Sequence, residues 1–352
     1  MDHLAEEIRD LLTAHQLRYV NAAELSVIRQ RCGRGFVYRD AQGRTVRSPE
    51  DLRRFKSLAI PPAWEEVRLA PESAWHLQAL GCDALGRLQR RYHDAWEKVR
   101  DADKLARLKR FGKVLPRVRA QVLLDIKRPL EEPDALCALA VRLIDLAHLR
   151  PGSEAALKEI GSRGATTLAP SNVNVDGDRV FLAFRGKSGK WIETAVTDQI
   201  LSRRLARLKQ SNRRRLFRVE RNGTSFHLSC SDLNSYLQRI SGAAISAKDF
   251  RTFDATATAL WTLAGEPLAT SHHRRQRVLA NVAREVSRRL HNTPAIARKS
   301  YIHPAVIETW LAGGLEEGLG ENLRRSVRNS PLSSRAEAAL RRFLAQHLLV
   351  SA

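Results

Sequence analysis

The hydrophobic period of this chain switches from helical to strand-like between residues 133 and 196, and that switch limits the fold more than any other feature. Over 133–149, Leu136, Leu139, Ala140, Leu143, Ile144 and Ala147 fall on one helical stripe. From Asn172 the apolar positions alternate instead, over 172–175, 179–184 and 191–196. The intervening Asp176-Gly177-Asp178 and Arg185-Gly186-Lys187-Ser188-Gly189-Lys190 carry turn chemistry, so the stretch predicts a three-stranded meander. Helical patterns return over 197–209, 232–240, 247–263, 277–290 and 336–349. One small sheet among many helices is expected for the larger part of the chain.

The first hundred residues have a different texture. A surface helix is expected over 1–15, then a hairpin over 35–47 with its turn at Gly43. Ser48-Pro49-Glu50-Asp51 opens a helix with cap, proline and early acids in agreement. Pro61-Pro62-Ala63-Trp64 breaks the pattern, and a second hairpin runs from 76–81 into 86–93. Past Trp96, Lys104, Lys109, Arg110 and Lys113 interleave with Leu105, Leu108, Phe111 and Leu115, as in a charged helix or linker. The expected class is therefore α+β. A small β-rich domain spans 1–100 and a larger, mainly helical domain with the meander spans 101–352.

Sixty Lys and Arg against 38 Asp and Glu give a net charge of +22 over 352 residues, and the isoelectric point is near 10.8. That excess points to a polyanionic partner, nucleic acid fitting best. It is spread along the chain without a basic tail, which predicts a folded basic surface. Cys32, Cys82, Cys137 and Cys230 lie far apart, without metal spacing, and read as reduced thiols. No apolar run approaches the roughly 20 residues of a membrane span, and the start lacks a signal peptide's apolar core. A cytoplasmic, nucleoid-associated protein is expected.

Candidate chemistry concentrates at 290–301. Thr293-Pro294 reads as an N-cap followed by proline at the first helical position, with Asn292 just outside and Tyr301 about two turns on. A tyrosine that attacks phosphate needs no metal when cations already surround the phosphate. Arg150 follows the helix of 133–149, and Arg251 stands near the start of a helix opened by Ser246 and Asp249, where the dipole favours an anion. That helix is expected to bury Phe250, Phe253 and Leu260 on one side. Lys187 sits at the second turn of the meander. Taken singly, Arg150 and Arg251 read as surface arginines, Lys187 as a solvated turn residue and Tyr301 as a half-buried aromatic. Gly186-Lys187-Ser188 lacks the earlier glycine of a nucleotide loop, Phe181 standing there, and His272, His273 and His291 have no partners at metal spacing. Neither a nucleotide nor a metal site is expected.

Together, Arg150, Lys187, Lys248-Asp249-Phe250-Arg251, and Asn292 nine residues before Tyr301 resemble the order and spacing of type IB DNA topoisomerases, in their bacterial and poxvirus-like branch. The resemblance runs from about residue 33 to 304. It includes Gly33-Arg34-Gly35-Phe36, Ile60-Pro61-Pro62-Ala63-Trp64 and Gly86-Arg87-Leu88-Gln89-Arg90-Arg91-Tyr92-His93. It implies a monomeric enzyme that clamps double-stranded DNA, with 1–100 as the DNA-clamping part and 101–352 as the catalytic domain, and without cofactor, ATP or obligatory metal. Tyr301 would form a 3′-phosphotyrosyl bond, Arg150, Arg251 and Asn292 would hold phosphate oxygens, and Lys187 would protonate the leaving 5′ oxygen. DNA contacts are implied at Gln89, Arg90, Tyr92, Lys190 and Lys248. Arg90 stands where relatives often have an aromatic, Asn292 where many have histidine, and Ser153 and Ala156 where poxvirus-like enzymes have lysine and tyrosine. A tyrosine recombinase is the main rival, although recombinases usually carry His-x-x-Arg where this chain has Lys248 and Arg251. A non-catalytic basic DNA-binding protein is the other.

Overall fold

The computed structural model describes residues 6–211, 214–221, 223–315 and 332–346. The chain divides into two compact units, 1–104 and 105–352, and the division falls inside one helix, α3 (Asp94–Asp125).

The first unit is built on a five-stranded antiparallel sheet of β1 (Val27–Cys32), β2 (Gly35–Arg39), β3 (Glu65–Leu69), β4 (Leu77–Cys82) and β5 (Leu88–Tyr92), in the order β2-β1-β3-β4-β5. Helix α1 (Glu6–Ala14) precedes it, residues 1–5 of the expected 1–15 helix lying outside the described residues. Helix α2 (Pro49–Ser57) starts where its cap predicted, with Ser48 Oγ accepting from the Asp51 amide at 3.3 Å. Its Phe55 lies in one core with Val27, Val67, Leu69 and Ala79. The hairpin 77–82/88–92 matches the sequence expectation.

The first hairpin does not. Gly35–Arg39 pairs with Val27–Cys32 around Gly33, whose φ of 58° suits glycine, while beyond the Gly43 turn only Arg39 and Thr45 form a bridge. Strand β1 was hidden by its charges. Arg29, 9% exposed, stacks on Phe36 at 4.1 Å and donates to the carbonyls of Ile60, Pro61 and Trp64. The Ile60–Trp64 break thus satisfies an arginine that points inward.

His76 is another inward-facing polar group of this unit. It stacks on Tyr19 at 4.3 Å, meets Trp96 edge-on at 4.5 Å, and its Nδ1 accepts from the Val20 amide at 3.2 Å. Burial lowers its pKa to about 4. In the unfolded chain the ring protonates near 6.5. Between those values the unfolded state binds a proton that the folded state refuses, so stability falls as pH falls. The loss approaches about 2–3 kcal/mol by pH 4. Thermal melts from about pH 7 to 4.5 should show this decline in the wild type and a shallower one in His76→Asn, which keeps an acceptor for Val20. Parallel declines would remove His76 as the cause.

The second unit is mainly helical. Helix α4 (Pro133–Ala147) leads into α5 (Glu154–Ile160) and the meander β6 (Val173–Asp176), β7 (Arg179–Arg185) and β8 (Trp191–Thr197), registered as expected. After α6 (Gln199–Ser211), a two-stranded ladder of β9 (Arg218–Arg221) and β10 (Thr224–His227) appears that the sequence reading lacked, so this unit holds two sheets. Then follow α7 (Cys230–Ser241), α8 (Ala247–Ala264), α9 (His272–Arg289), α10 (Pro294–Ile296) with a π turn over Ala297–Tyr301, and α11 (Pro304–Leu311). The last described helix, α12 (Leu332–Gln346), begins earlier than expected, and the expected positions 347–349 lie outside the described residues.

Helix α8 is the centre of this unit, packed by α4, α7, α9, α11 and α12. It buries residues around its whole circumference, Phe250, Phe253 and Leu260 together with Thr252, Asp254, Thr256 and Thr258. Phe111 of α3 meets Phe250 edge-on at 4.9 Å. Helix α12 buries Ala339, Leu340, Phe343 and Leu344. Its Glu337 shares the Arg119 guanidinium with Asp145 of α4, at 2.7–2.8 Å.

Candidate active site

Arg150 is delivered by the end of α4. His148 turns the chain with a left-handed backbone, φ 51° and ψ 36°. The carbonyls of Arg150 and Pro151 then accept from the amides of Ala165 and Thr166 at 2.8 and 2.7 Å. A Cβ on Gly164 would stand 2.6 Å from the Arg150 carbonyl and from the Gly152 nitrogen, so only glycine allows this approach. From that anchored backbone Arg150 Nη1 donates to the Tyr301 hydroxyl at 2.8 Å.

Tyr301 arrives by the predicted start signal. Thr293 Oγ1 accepts from the Ile296 amide at 3.3 Å and Pro294 takes the first position, but the turn then widens, and Tyr301 closes the π turn rather than a regular helix. Thr256 of α8 donates its hydroxyl to the Tyr301 carbonyl at 3.0 Å. The residue is 4% exposed. The guanidinium carbons of Arg150 and Arg251 stand 5.8 and 5.1 Å from its ring centroid. Burial pushes the phenol's pKa up, but Arg251 and Arg150, with Lys248 after them, outweigh it and bring the hydroxyl below its ordinary value.

Arg251 is 1% exposed, so the surface-arginine reading fails. Its helix begins with the expected cap, Asp249 accepting from the Ser246 amide and hydroxyl at 2.7 and 2.9 Å. Nη1 donates to the His148 carbonyl and Nη2 to the Leu290 carbonyl at 2.8 Å, both at the C-terminal ends of helices. The negative ends of α4 and α9 therefore converge on one cation. Its Nε has no partner among the described residues.

Asn292 is 6% exposed, and neither its Oδ1 nor its Nδ2 has a hydrogen-bond partner among the described residues. A buried, unpaired amide costs roughly 1–3 kcal/mol, and both of its polar atoms are available to accept or donate. Its carbonyl receives Lys190 Nζ at 3.0 Å, tying the β7–β8 turn to this point. Lys187 on the same turn is exposed and has no hydrogen bond among the described residues. In that turn a Cβ on Gly186 would meet Ile192 Cδ1 at 2.4 Å, so a larger residue there would make the Ile192 side chain shift. Gly186-Lys187-Ser188 thus belongs to a hairpin. Lys248 is exposed on the first turn of α8.

The structure therefore brings Tyr301, Arg150 and Arg251 together, with Asn292 two residues past the Leu290 carbonyl that Arg251 holds, Lys190 attached to Asn292, and Lys187 near Lys190 in the chain. In the first unit, Arg90 and Tyr92 are exposed and share one face of β5, while Gln89 alternates to the other and donates to Asp83 at 2.8 Å. Sequence reasoning missed His148, Asp254 and Arg289. Asp254 of α8 accepts from Arg289 of α9 at 2.7 and 3.2 Å, and Arg289 Nη2 stands 3.1 Å from His148 Nε2.

Comparison with known families decides the identity of this arrangement. The family model described as the catalytic core of eukaryotic DNA topoisomerase I matches residues 93–312, more than half of the chain. The chain belongs to the type IB DNA topoisomerases. The N-terminal domain of bacterial DNA topoisomerase IB matches residues 35–83 of this topoisomerase. The DNA topoisomerase 1B of Acanthamoeba polyphaga mimivirus is 26% identical over 292 residues, covering 81% of this chain and 87% of that relative. The enzyme is thus of the bacterial and viral type, an isomerase acting on DNA, and both rival readings fall. Arg150, Lys187, Arg251, Asn292 and Tyr301 all lie within the matched core, whereas Gln89, Arg90 and Tyr92 lie between the two matched segments. Among the described residues no helix is long and apolar enough to cross a membrane.

Proposed function

We propose that the enzyme relaxes supercoiled duplex DNA by cutting one strand through Tyr301, letting it swivel, and rejoining it, without ATP or an obligatory metal. The Tyr301 oxygen attacks a backbone phosphorus, the O–P bond to tyrosine forms, and the bond to the 5′ oxygen breaks. The phenol proton leaves to water, and Lys187 gives a proton to the departing 5′ oxygen. Reversal restores the strand, because the phosphotyrosine conserves the bond's energy.

The observation that carries this reading is the Tyr301 hydroxyl held at 2.8 Å by Arg150 beside the buried Arg251, with the unpaired amide of Asn292 two residues past the Leu290 carbonyl that Arg251 grips. Arg150, Arg251 and the Nδ2 of Asn292 stabilise the negative charge that grows on the phosphate oxygens. Lys190 keeps the Lys187 turn attached to Asn292. Arg274, Arg277, Arg284 and Arg288 line the exposed side of α9, opposite buried Leu279, Val282 and Val286, and support a duplex partner. Gln89, Arg90, Tyr92 and Lys248 add contacts, the domain of 1–100 grips DNA and that of 101–352 performs catalysis. The enzyme works as a monomer on the duplex DNA of the cytoplasm.

The deciding assay is plasmid relaxation in EDTA without ATP, with denaturant added to trap the adduct. Relaxed topoisomers and protein attached to the 3′ side of the nick are expected. A requirement for ATP, or attachment to the 5′ side, would overturn the mechanism.

A further inference from the structure

Three groups outside the reacting set meet behind it. Asp254 lies three residues after Arg251 on α8, Arg289 lies at the end of α9, and His148 caps α4. Arg289 grips Asp254 through two hydrogen bonds, at 2.7 and 3.2 Å, and its Nη2 stands 3.1 Å from His148 Nε2. His148 Nδ1 stands 3.7 Å from Asp254 Oδ2. The cluster sits one backbone step from the chemistry, because the His148 carbonyl holds Arg251 Nη1 and Arg150 follows two residues later.

The proton position follows from donor counting. A guanidinium only donates, so His148 Nε2 must accept from Arg289, and the ring's one proton sits on Nδ1, facing Asp254. A second proton on Nε2 would set donor against donor. His148 also holds a left-handed backbone that a non-glycine residue adopts at a cost of roughly 1–2 kcal/mol.

We propose that Asp254, Arg289 and His148 form a positioning triad that fixes the end of α4, and thereby Arg150 and Arg251, only while His148 is neutral. This rests on the cleavage reaction proposed above. The charged groups around the ring agree with it. Burial lowers the pKa of His148, Asp254 and Asp145 oppose that, and Arg289 and Arg251 reinforce it. His291 is the second imidazole here, lowered mainly by burial and standing beside the Ala147 carbonyl. The triad therefore keeps its shape at neutral pH and releases it in acid.

The test is single-turnover formation of the covalent adduct on a short duplex, from about pH 4.5 to 8.5, with folding checked by circular dichroism at each pH. The wild-type rate should fall at least about tenfold on the acid side. His148→Asn suits the left-handed turn but falls short of Arg289, and should be about tenfold slower at neutral pH. His148→Gln, whose Oε1 can reach Arg289 and cannot titrate, should restore the neutral rate and abolish the acid fall. Asp254→Asn should be about tenfold slower at every pH with DNA affinity unchanged. An acid fall that persists in His148→Gln belongs to His291 or Tyr301 and overturns the triad, as does a flat wild-type profile or an Asp254→Asn rate equal to wild type. Absence of any wild-type adduct instead removes the cleavage mechanism, and the triad with it.

Discussion

Tyr301→Phe should form no covalent adduct and relax no plasmid, while remaining folded and bound to DNA. The substitution deletes one oxygen from a side chain that is 4% exposed, and the ring still fills its site. The lost hydrogen bond is the one from the Arg150 guanidinium, at 2.8 Å, worth roughly 1.5–3 kcal/mol. Removal of a covalent nucleophile lowers turnover on the order of 10⁵- to 10⁶-fold, so the two effects are far apart in scale. Trapping with denaturant and a melting curve on the same preparation separate them. A stable variant that still relaxes DNA would show that another group makes the bond.

Arg251→Lys should be the most damaging substitution that preserves charge. The guanidinium is 1% exposed and spans two carbonyls, those of His148 and Leu290, at the ends of different helices. Burial lowers its pKa, yet an arginine remains charged at any working pH. An ammonium reaches one of those carbonyls and leaves the other unpaired, a cost of roughly 1–3 kcal/mol. It also lacks the planar fork that can face phosphate while holding the protein. Cleavage should slow by about 10²- to 10³-fold, and the urea midpoint should fall with it. A rate within about tenfold of wild type would show that charge alone suffices at this position.

The sequence revealed most where local chemistry decides the outcome. The meander, the caps at Ser48 and Thr293, and the stripe of α4 all depend on near neighbours, and they stand where their patterns put them. The nine-residue spacing from Asn292 to Tyr301 likewise needs only one short segment. Strands β1 and β3 escaped because Arg29, Arg31, Glu65 and Glu66 break the alternation, and Arg29 is satisfied by carbonyls more than 30 residues away. Helix α8 looked one-sided because Thr252, Thr256 and Thr258 read as solvent residues, whereas all three are buried and Thr256 holds the Tyr301 carbonyl. Asp254, Arg289 and His148 gave no local signal at all. Their partners lie 35 and 141 positions apart, and nothing in either neighbourhood announces the other.

The grip of Arg251 on two helix ends has a consequence for how the protein is made. Arg150 meets Tyr301 across 151 positions, and Arg251 meets the carbonyl of His148 across 103. Such distant partners come together only late, after the loops between them have closed. A chain halted before Tyr301 carries most of the positive charge and none of the assembled site, so the proposed cleavage would arrive only with completion of the fold.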